Sequence, residues 1–599
     1  MRAVLTLSVV LAGTCLAACG SHARRSHTVA RSVTVARAAS PPGPVSVFPI
    51  PHGRVASPQT QIAFRGVSAG ALGSLVVTGS RSGRHAGRVE ADSDGDGASF
   101  LPARPFLPGE LVTVSTHLNV RDATGGTFRF RIATPAGAMP NTPLPAAGRV
   151  PGDVLTFRSR PDLSPASVEI TQQSARTAAG DIFLAPEQGP VQNGPMILAP
   201  NGDLVWFKAI SSGQRATDFR VQSYRGQPVL TWWQGHVGAG VGVGEDVIYD
   251  RSYRQMAVVY AANGLSADLH EFQLTPAGAA LITAYYDVLW KPSSNSRAAR
   301  VNVLDSVVQE IDVKTGLVLF QWDSLDHVPP SASYQPPAAG QPLDYFHVNS
   351  VQLDSDGDLV LSGRNTWAAY KVDADTGGVV WTLGGKRSDF KMGPRTSFAF
   401  QHDVRVRASD STLTLFDDGA GPPTVQKQSR ALTLRLDPAA RSATLATQYP
   451  HTPAVLSGYE GNVQLLDNNN RFLGWGQQPY FSEFDARGQQ LFDGRFVGEN
   501  SSYRVYRFPW SGDPQTVPAV AVARGQGITT VDVSWNGATA VTSWRVLAGA
   551  SASSLQPVST VTKQGFETEI TVPPAAFVAV QALDARGRVL ATSQPVSAH

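Results

Sequence analysis

Cysteine is almost missing from this sequence of 599 residues: Cys15 and Cys19 are the only two. Everything after Cys19 can form no disulfide, so its stability must come from buried cores, which a chain of this size can build. Excess charge is missing as well. Fifty Lys and Arg against 47 Asp and Glu leave a net +3, with no basic run, which gives no reason to invoke a nucleic acid partner. Charged residues make up 16% and hydrophobic ones 42%, too apolar a balance for disorder. The apolar stretch from Val4 to Leu16 is too short for a stable bilayer span. Histidine is scarce too, with 12 in the chain. What is plentiful is Gly (56) and Pro (42), with β-branched residues throughout, the composition of many short strands joined by turns. The length implies several domains.

The N-terminus has the layout of an export signal: Arg2, then the Val4–Leu16 apolar stretch, then Leu16-Ala17-Ala18-Cys19-Gly20. The last phrase resembles a bacterial lipoprotein cleavage box. It implies cleavage before Cys19, lipidation of that thiol, and an extracytoplasmic protein held at the cell membrane. An ordinary signal peptide with an incidental cysteine is the alternative. Residues 20–44 are small and polar, without apolar period, and read as a flexible tether.

Residues 45–151 alternate in short runs, as in Thr127-Phe128-Arg129-Phe130-Arg131-Ile132, and read as a β-sandwich. Asp92-Ser93-Asp94-Gly95-Asp96-Gly97 resembles the start of a calcium loop. Its twelfth position is Ala103 instead of a bidentate Glu, so a hairpin turn is the better reading. Residues 513–599 repeat the sandwich pattern, for example in Thr530–Trp535 and Phe577–Ala582. This segment looks like a fibronectin type III domain with Trp535 in its core.

The centre, residues 159–512, repeats one phrase: a strand, an Asp or Asn with Gly in a turn, and a second strand ending in an aromatic or large apolar residue. Copies run over 199–206, 311–320 and 372–381, with looser ones over 353–360 and 483–492. Each reads as a hairpin, with Gly taking a positive φ. A hairpin cannot bury both faces alone, so repeated hairpins must stack, and radial stacking makes a β-propeller. The fold class expected is therefore all-β: a central propeller flanked by two β-sandwich domains. In a propeller the innermost strands converge on an axis.

Three of the scarce histidines sit in distinctive phrases at the start of strands: Asp268-Leu269-His270-Glu271, Asp344-Tyr345-Phe346-His347-Val348-Asn349 and Phe400-Gln401-His402-Asp403. Their separations place them on different blades, so they can meet only near the axis.

The centre resembles the arylsulfotransferases of the bacterial, aryl-sulfate-dependent type. The phrases that carry this include Leu204-Val205-Trp206-Phe207, Val308-Gln309-Glu310-Ile311-Asp312, His347-Val348-Asn349-Ser350, Trp381-Thr382-Leu383-Gly384, Gln401-His402-Asp403 and Ser502-Tyr503-Arg504. The resemblance implies a six-bladed propeller, no cofactor, and transfer of a sulfuryl group from an aryl sulfate to a phenol through a sulfated histidine. His402 matches the family's nucleophile, His347 and Asn349 its His-x-Asn-Ser phrase, and Arg364 its sulfate-binding arginine. His270 matches a histidine on an earlier blade, though Leu269 and Glu271 depart from the pattern.

The chemistry suits these residue types. A neutral imidazole can attack sulfur and split the transfer into two steps. Arg364 offers a planar fork to the charged oxygens, with Asn349 and His347 as further donors. His270 or His347 could carry the proton of the phenol. Tyr345, Phe346, Phe400, Trp232 and Trp233 could wall a pocket for aryl rings or fill the core. Asp403 could orient His402 or make a turn contact. Other classes stay open: three histidines binding a metal at the axis, a quinoprotein-type propeller, or a propeller that only binds cell-surface or sulfated ligands.

Overall fold

The computed structural model describes residues 44–137, 148–188, 192–291 and 300–598. The export signal, Cys19 and the tether lie outside them. The described chain is nearly all β, with one four-residue α-helix, Ser324–His327, and a few 3-10 turns.

Residues 46–131 form two four-stranded sheets over one apolar core that includes Phe64, Phe100, Val112, Phe128 and Phe130. The strand Thr127–Arg131 alternates inward Phe128 and Phe130 with outward polar residues, as its sequence pattern requires. The Asp92–Gly97 phrase is a hairpin turn between the paired strands Gly87–Ala91 and Gly97–Pro102. Its Asp92 and Asp94 carboxylates clasp the Arg65 guanidinium, each at 2.5 Å. Lys371 Nζ is held likewise by Asp354 and Asp356 in a second Asp-rich turn.

Residues 519–597 form two further sheets, whose shared core contains Trp544, fully buried, beside Trp535. Both end regions bond to the centre through buried or half-buried polar pairs. Gln61 Nε2 donates to the Val318 carbonyl at 2.8 Å, and Asn536 exchanges two hydrogen bonds with the Phe207 main chain.

The centre comprises five sheets, one of them eight-stranded. The five sequence phrases all prove to be antiparallel hairpins. Six strands can be named by their role: β1 (Arg215–Tyr224), β2 (Ala267–Leu274), β3 (Val348–Leu353), β4 (His402–Arg407), β5 (Asn462–Leu465) and β6 (Tyr506–Phe508). One device links them in sequence. A polar side chain at or beside one strand accepts the main-chain N–H of the next: Asp218 from Phe272, Glu271 from Val351, Ser350 from Val404, Asp403 from Val463, and Asn462 from Val505 just before β6. Tyr506 on β6 then donates its hydroxyl to Asp218 on β1 at 2.8 Å, so the series returns to its start. Two strands from distant parts of the chain complete sheets: Val168–Gln173 pairs with Gln490–Phe496, and Tyr506–Phe508 pairs with Asp181–Leu184.

The acceptors Asp218, Glu271 and Asp403 are buried, and three arginines neutralise them. Arg504 reaches Asp218 at 2.9 Å and Glu271 at 3.3 Å. Arg220 reaches Glu271 at 2.6 Å, and Arg405 reaches Glu271 at 2.6 Å and Asp403 at 2.7 Å. Although burial opposes it, the surrounding guanidinium groups pull the Glu271 carboxyl well below the usual carboxylate range. Cavities lie on either side of this cluster. The N-terminal side of β1–β5 borders one of about 690 Å³, and the C-terminal side of β1, β4, β5 and β6 borders another of about 470 Å³.

Candidate functional site

The larger cavity contains the histidines. His270, His347, His402 and Arg364 all line it, although they come from four separate stretches of chain. His402 opens β4, and His347 immediately precedes β3, both as the sequence suggests. His270 differs: it is the fourth residue of β2, where the ladder to the next strand breaks between Ala267 and Phe272. The break turns Leu269 and His270 out of regular pairing and onto the cavity wall. The His270 and His347 rings meet edge to face with centroids 4.9 Å apart. Tyr503 stands between the other two rings, 5.6 Å from His270 and 6.4 Å from His402.

Each histidine has its Nδ1 on a carboxylate: Asp268 for His270 at 2.5 Å, Asp344 for His347, and Asp418 for His402 at 2.8 Å. His402 Nε2 accepts the main-chain N–H of Glu460 at 3.2 Å. That contact fixes the ring as the Nδ1–H tautomer, leaving Nε2 as the basic nitrogen. Burial, reinforced by the positive charge of Arg364, pushes the His402 pKa well below 6.5, so the ring is neutral. Burial lowers His270 also, against the pull of Asp268. Asp268 accepts from Gly242 N–H and Thr283 Oγ1 as well; although burial opposes it, His270 and the Gly242 N–H hold its carboxyl below the usual range. Asp418 is raised by burial, with Arg364 pulling the other way.

Arg364 donates to Asn365 Oδ1 at 2.8 Å and to the Gly458 carbonyl at 3.0 Å, and its guanidinium lies 4.9 Å from the Phe400 ring centroid. It forms no salt bridge among the described residues. Burial pulls its pKa below the ordinary guanidinium value. A buried cation without a carboxylate partner is suited to an anionic group in the cavity.

Three expected binding residues do not line the cavity. Tyr345 is fully buried and donates its hydroxyl to the Val328 carbonyl at 2.9 Å, inside an apolar cluster with Phe346. Phe400 sits behind Arg364, against Trp367. Asn349 is fully buried, with Nδ2 on the Gln401 carbonyl at 2.8 Å, so it ties β3 to the residue before His402. Trp232 and Trp233 are likewise core residues. Asp403 does not orient His402; it accepts from Val463 N–H and pairs with Arg405, and Asp418 takes the orienting place. The apolar wall consists of Leu269, Leu304, Pro336, Pro342, Pro422 and Tyr459 instead.

Glu187, Arg215 and Glu460 also line the cavity. Glu187 pairs with Arg215 at 3.2 Å. Burial raises its carboxyl to about 7, against the pull of Arg215. Burial, and then Glu187, push Glu460 well above its ordinary value. Neither was marked by a motif. Residues at or beside the site that hold positive φ without being Gly include Ala239 (51°), His347 (56°), Phe400 (56°), Asp403 (52°) and Glu460 (70°). Such backbone costs energy and persists where the surroundings impose it. Among the described residues no three His, Asp or Glu side chains are grouped so as to hold a metal ion.

Residues 220–497 match a family model described as arylsulfotransferase (ASST). No curated protein matches the chain. Among solved structures, a protein of unknown function from Bacteroides caccae is 11% identical, covers 55% of this chain and 98% of its own, and superposes with a TM-score of 0.35. Saccharomyces cerevisiae Sqt1 is 10% identical over 53% of this chain and 92% of its own, with a TM-score of 0.24.

Proposed function

We propose that this chain, which belongs through residues 220–497 to the arylsulfotransferase family, moves a sulfuryl group from an aryl sulfate to a phenol through a sulfated His402. Family membership supports a sulfotransferase in general. The observation that carries the finer reading is the cavity shared by His402, His270, His347 and Arg364, which has no salt bridge among the described residues. The ring of linked inner strands and the family resemblance together favour a six-bladed propeller, flanked by two sandwich domains. The Cys19 phrase favours an exported, lipid-anchored setting.

In the first step the Nε2 lone pair of His402 attacks sulfur, the N–S bond forms, and the bond from sulfur to the aryl oxygen breaks. Positive charge then spreads over the ring, and the Nδ1–H bond to Asp418 faces it. Arg364 stabilises the three sulfonyl oxygens. The Glu460 main-chain N–H, released from Nε2 as sulfur arrives, becomes a further donor beside those oxygens. In the second step a phenol oxygen attacks sulfur and the N–S bond breaks. The steps are one reaction run in opposite directions, so one group handles the phenolic proton in both. Prolines and Tyr459 offer flat faces to the aryl ring.

The test is intact-mass measurement after addition of nitrophenyl sulfate, with phenol release followed in parallel. The reading expects a gain of one SO3 unit, absent in His402→Ala. Absence of both adduct and phenol release with every acceptor tried would sink it.

A further inference from the structure

The family resemblance offers His270 and His347 as carriers for the proton of the phenol, and of these His270 is poorly suited to give one. A group that protonates the departing phenolate must hold a proton at rest. His270 is neutral, and its one ring proton is committed to Asp268, so its Nε2 can only accept. Tyr285 lies 5.9 Å from His270 by ring centroids, but its hydroxyl proton is committed to the Val348 carbonyl at 2.6 Å.

Glu460 differs on four counts. Its own N–H touches the attacking nitrogen of His402 at 3.2 Å, which puts its main chain beside the reacting atoms. Among the described residues its Oε2 is buried with no hydrogen-bond partner, in a residue that lines the cavity. Its backbone sits at φ 70°, followed by Gly461 at φ 103°, a conformation that non-glycine residues rarely keep without a cause. It has no salt bridge among the described residues: the nearby Arg215, whose charge acts on it, is bonded to Glu187, whose Oε1 has no hydrogen-bond partner among them.

We infer that Glu460 is the acid and base of the transfer: its carboxyl gives a proton to the departing phenolate and takes one back from the acceptor phenol. This rests on the sulfuryl-transfer reading. The balance closes. Aryl sulfate, neutral His402 and the protonated Glu460 give free phenol, sulfated His402 and the Glu460 carboxylate. The acceptor phenol then returns its proton to that carboxylate as its oxygen takes the sulfuryl group. The groups facing Glu460 are Glu187, Arg215, Asp418, Tyr459 and His402. Burial and the carboxyl of Glu187 raise the Glu460 carboxyl well above its ordinary value, against the pull of Arg215, which favours the protonated form.

The test compares Glu460→Gln with wild type on two donors: nitrophenyl sulfate, whose phenolate leaves unaided, and phenyl sulfate, whose phenolate needs a proton. Gln keeps the main-chain N–H on His402 and the side-chain volume. The rate of adduct formation should fall with phenyl sulfate by roughly 100-fold more than with nitrophenyl sulfate. Glu460→Asp should recover part of the phenyl sulfate rate. Equal losses on both donors, or no loss, overturn the assignment; thermal melting of each variant checks its fold. A wild-type protein that forms no adduct with either donor defeats the sulfuryl-transfer reading itself. Adduct formation by wild type with unchanged donor preference in Glu460→Gln defeats only the role of Glu460.

Discussion

Asp418 stands 16 residues beyond His402, yet its Oδ2 accepts the His402 Nδ1 proton at 2.8 Å. The strand pairing makes this possible: His402 is opposite Phe416 in the sheet, and Asp418 follows two residues later at the cavity end. In the proposed transfer the ring becomes cationic when sulfur bonds to Nε2, and Asp418 faces that charge. Asp418→Asn keeps the shape and replaces the carboxyl that accepts the His402 Nδ1 proton. Adduct formation should slow by about 100-fold, read by rapid-mixing mass measurement. A change under threefold would show that Asp418 only positions the ring.

Arg364 is the cavity's cation without a carboxylate partner. Arg364→Lys keeps the charge but loses the planar fork and the packing on Phe400. The rate constant for adduct formation at low donor concentration should fall by roughly 100-fold. Rates near wild type would mean the sulfonyl oxygens bind elsewhere.

Arg504 is buried between Asp218 and Glu271. Arg504→Met leaves two carboxylates in the interior short of one cation. Stability should drop by about 3–5 kcal/mol, seen as a lower denaturant midpoint of the described fold. A loss under 1 kcal/mol would show that Arg220 and Arg405 alone neutralise the cluster.

His327 stacks on Trp322 at 5.4 Å, and burial lowers its pKa to about 4. The unfolded chain takes up this proton near pH 6.5 and the folded chain only near 4, so the histidine destabilises the fold as pH falls through that window. From pH 7 to 5 the loss from this one group is about 2 kcal/mol. His327→Phe should reduce the acid-induced fall in stability by that amount, measured as the difference between denaturation at the two pH values. Parallel curves for the two proteins would contradict it.

Much of the fold was legible locally. Alternation in Thr127–Arg131 and the Gly turns after Asp or Asn marked strands and hairpins, because side-chain facing and positive φ are set by neighbours in sequence. The carboxylates on His270 and His347 lie two and three residues away, inside phrases already visible. The aromatic wall was not legible. Tyr345 and Phe400 stand two residues before site histidines in sequence, but Tyr345 packs in an apolar cluster and Phe400 lies against Trp367 and Arg364 instead of lining the cavity. Prolines from two loops and Tyr459 from a third take that place.

The sequence by itself determined an all-β chain, its hairpins and the scarce residues able to do chemistry. Only the tertiary structure decided which of them share a cavity, that Asp418 rather than Asp403 holds His402, and that Glu460 lies against the nucleophile. The reason is physical. A hairpin's pattern depends on a few adjacent residues. The cavity exists only because six strands from distant parts of the chain link side by side, through acceptors such as Asp218, Glu271 and Asp403, and no local pattern encodes that.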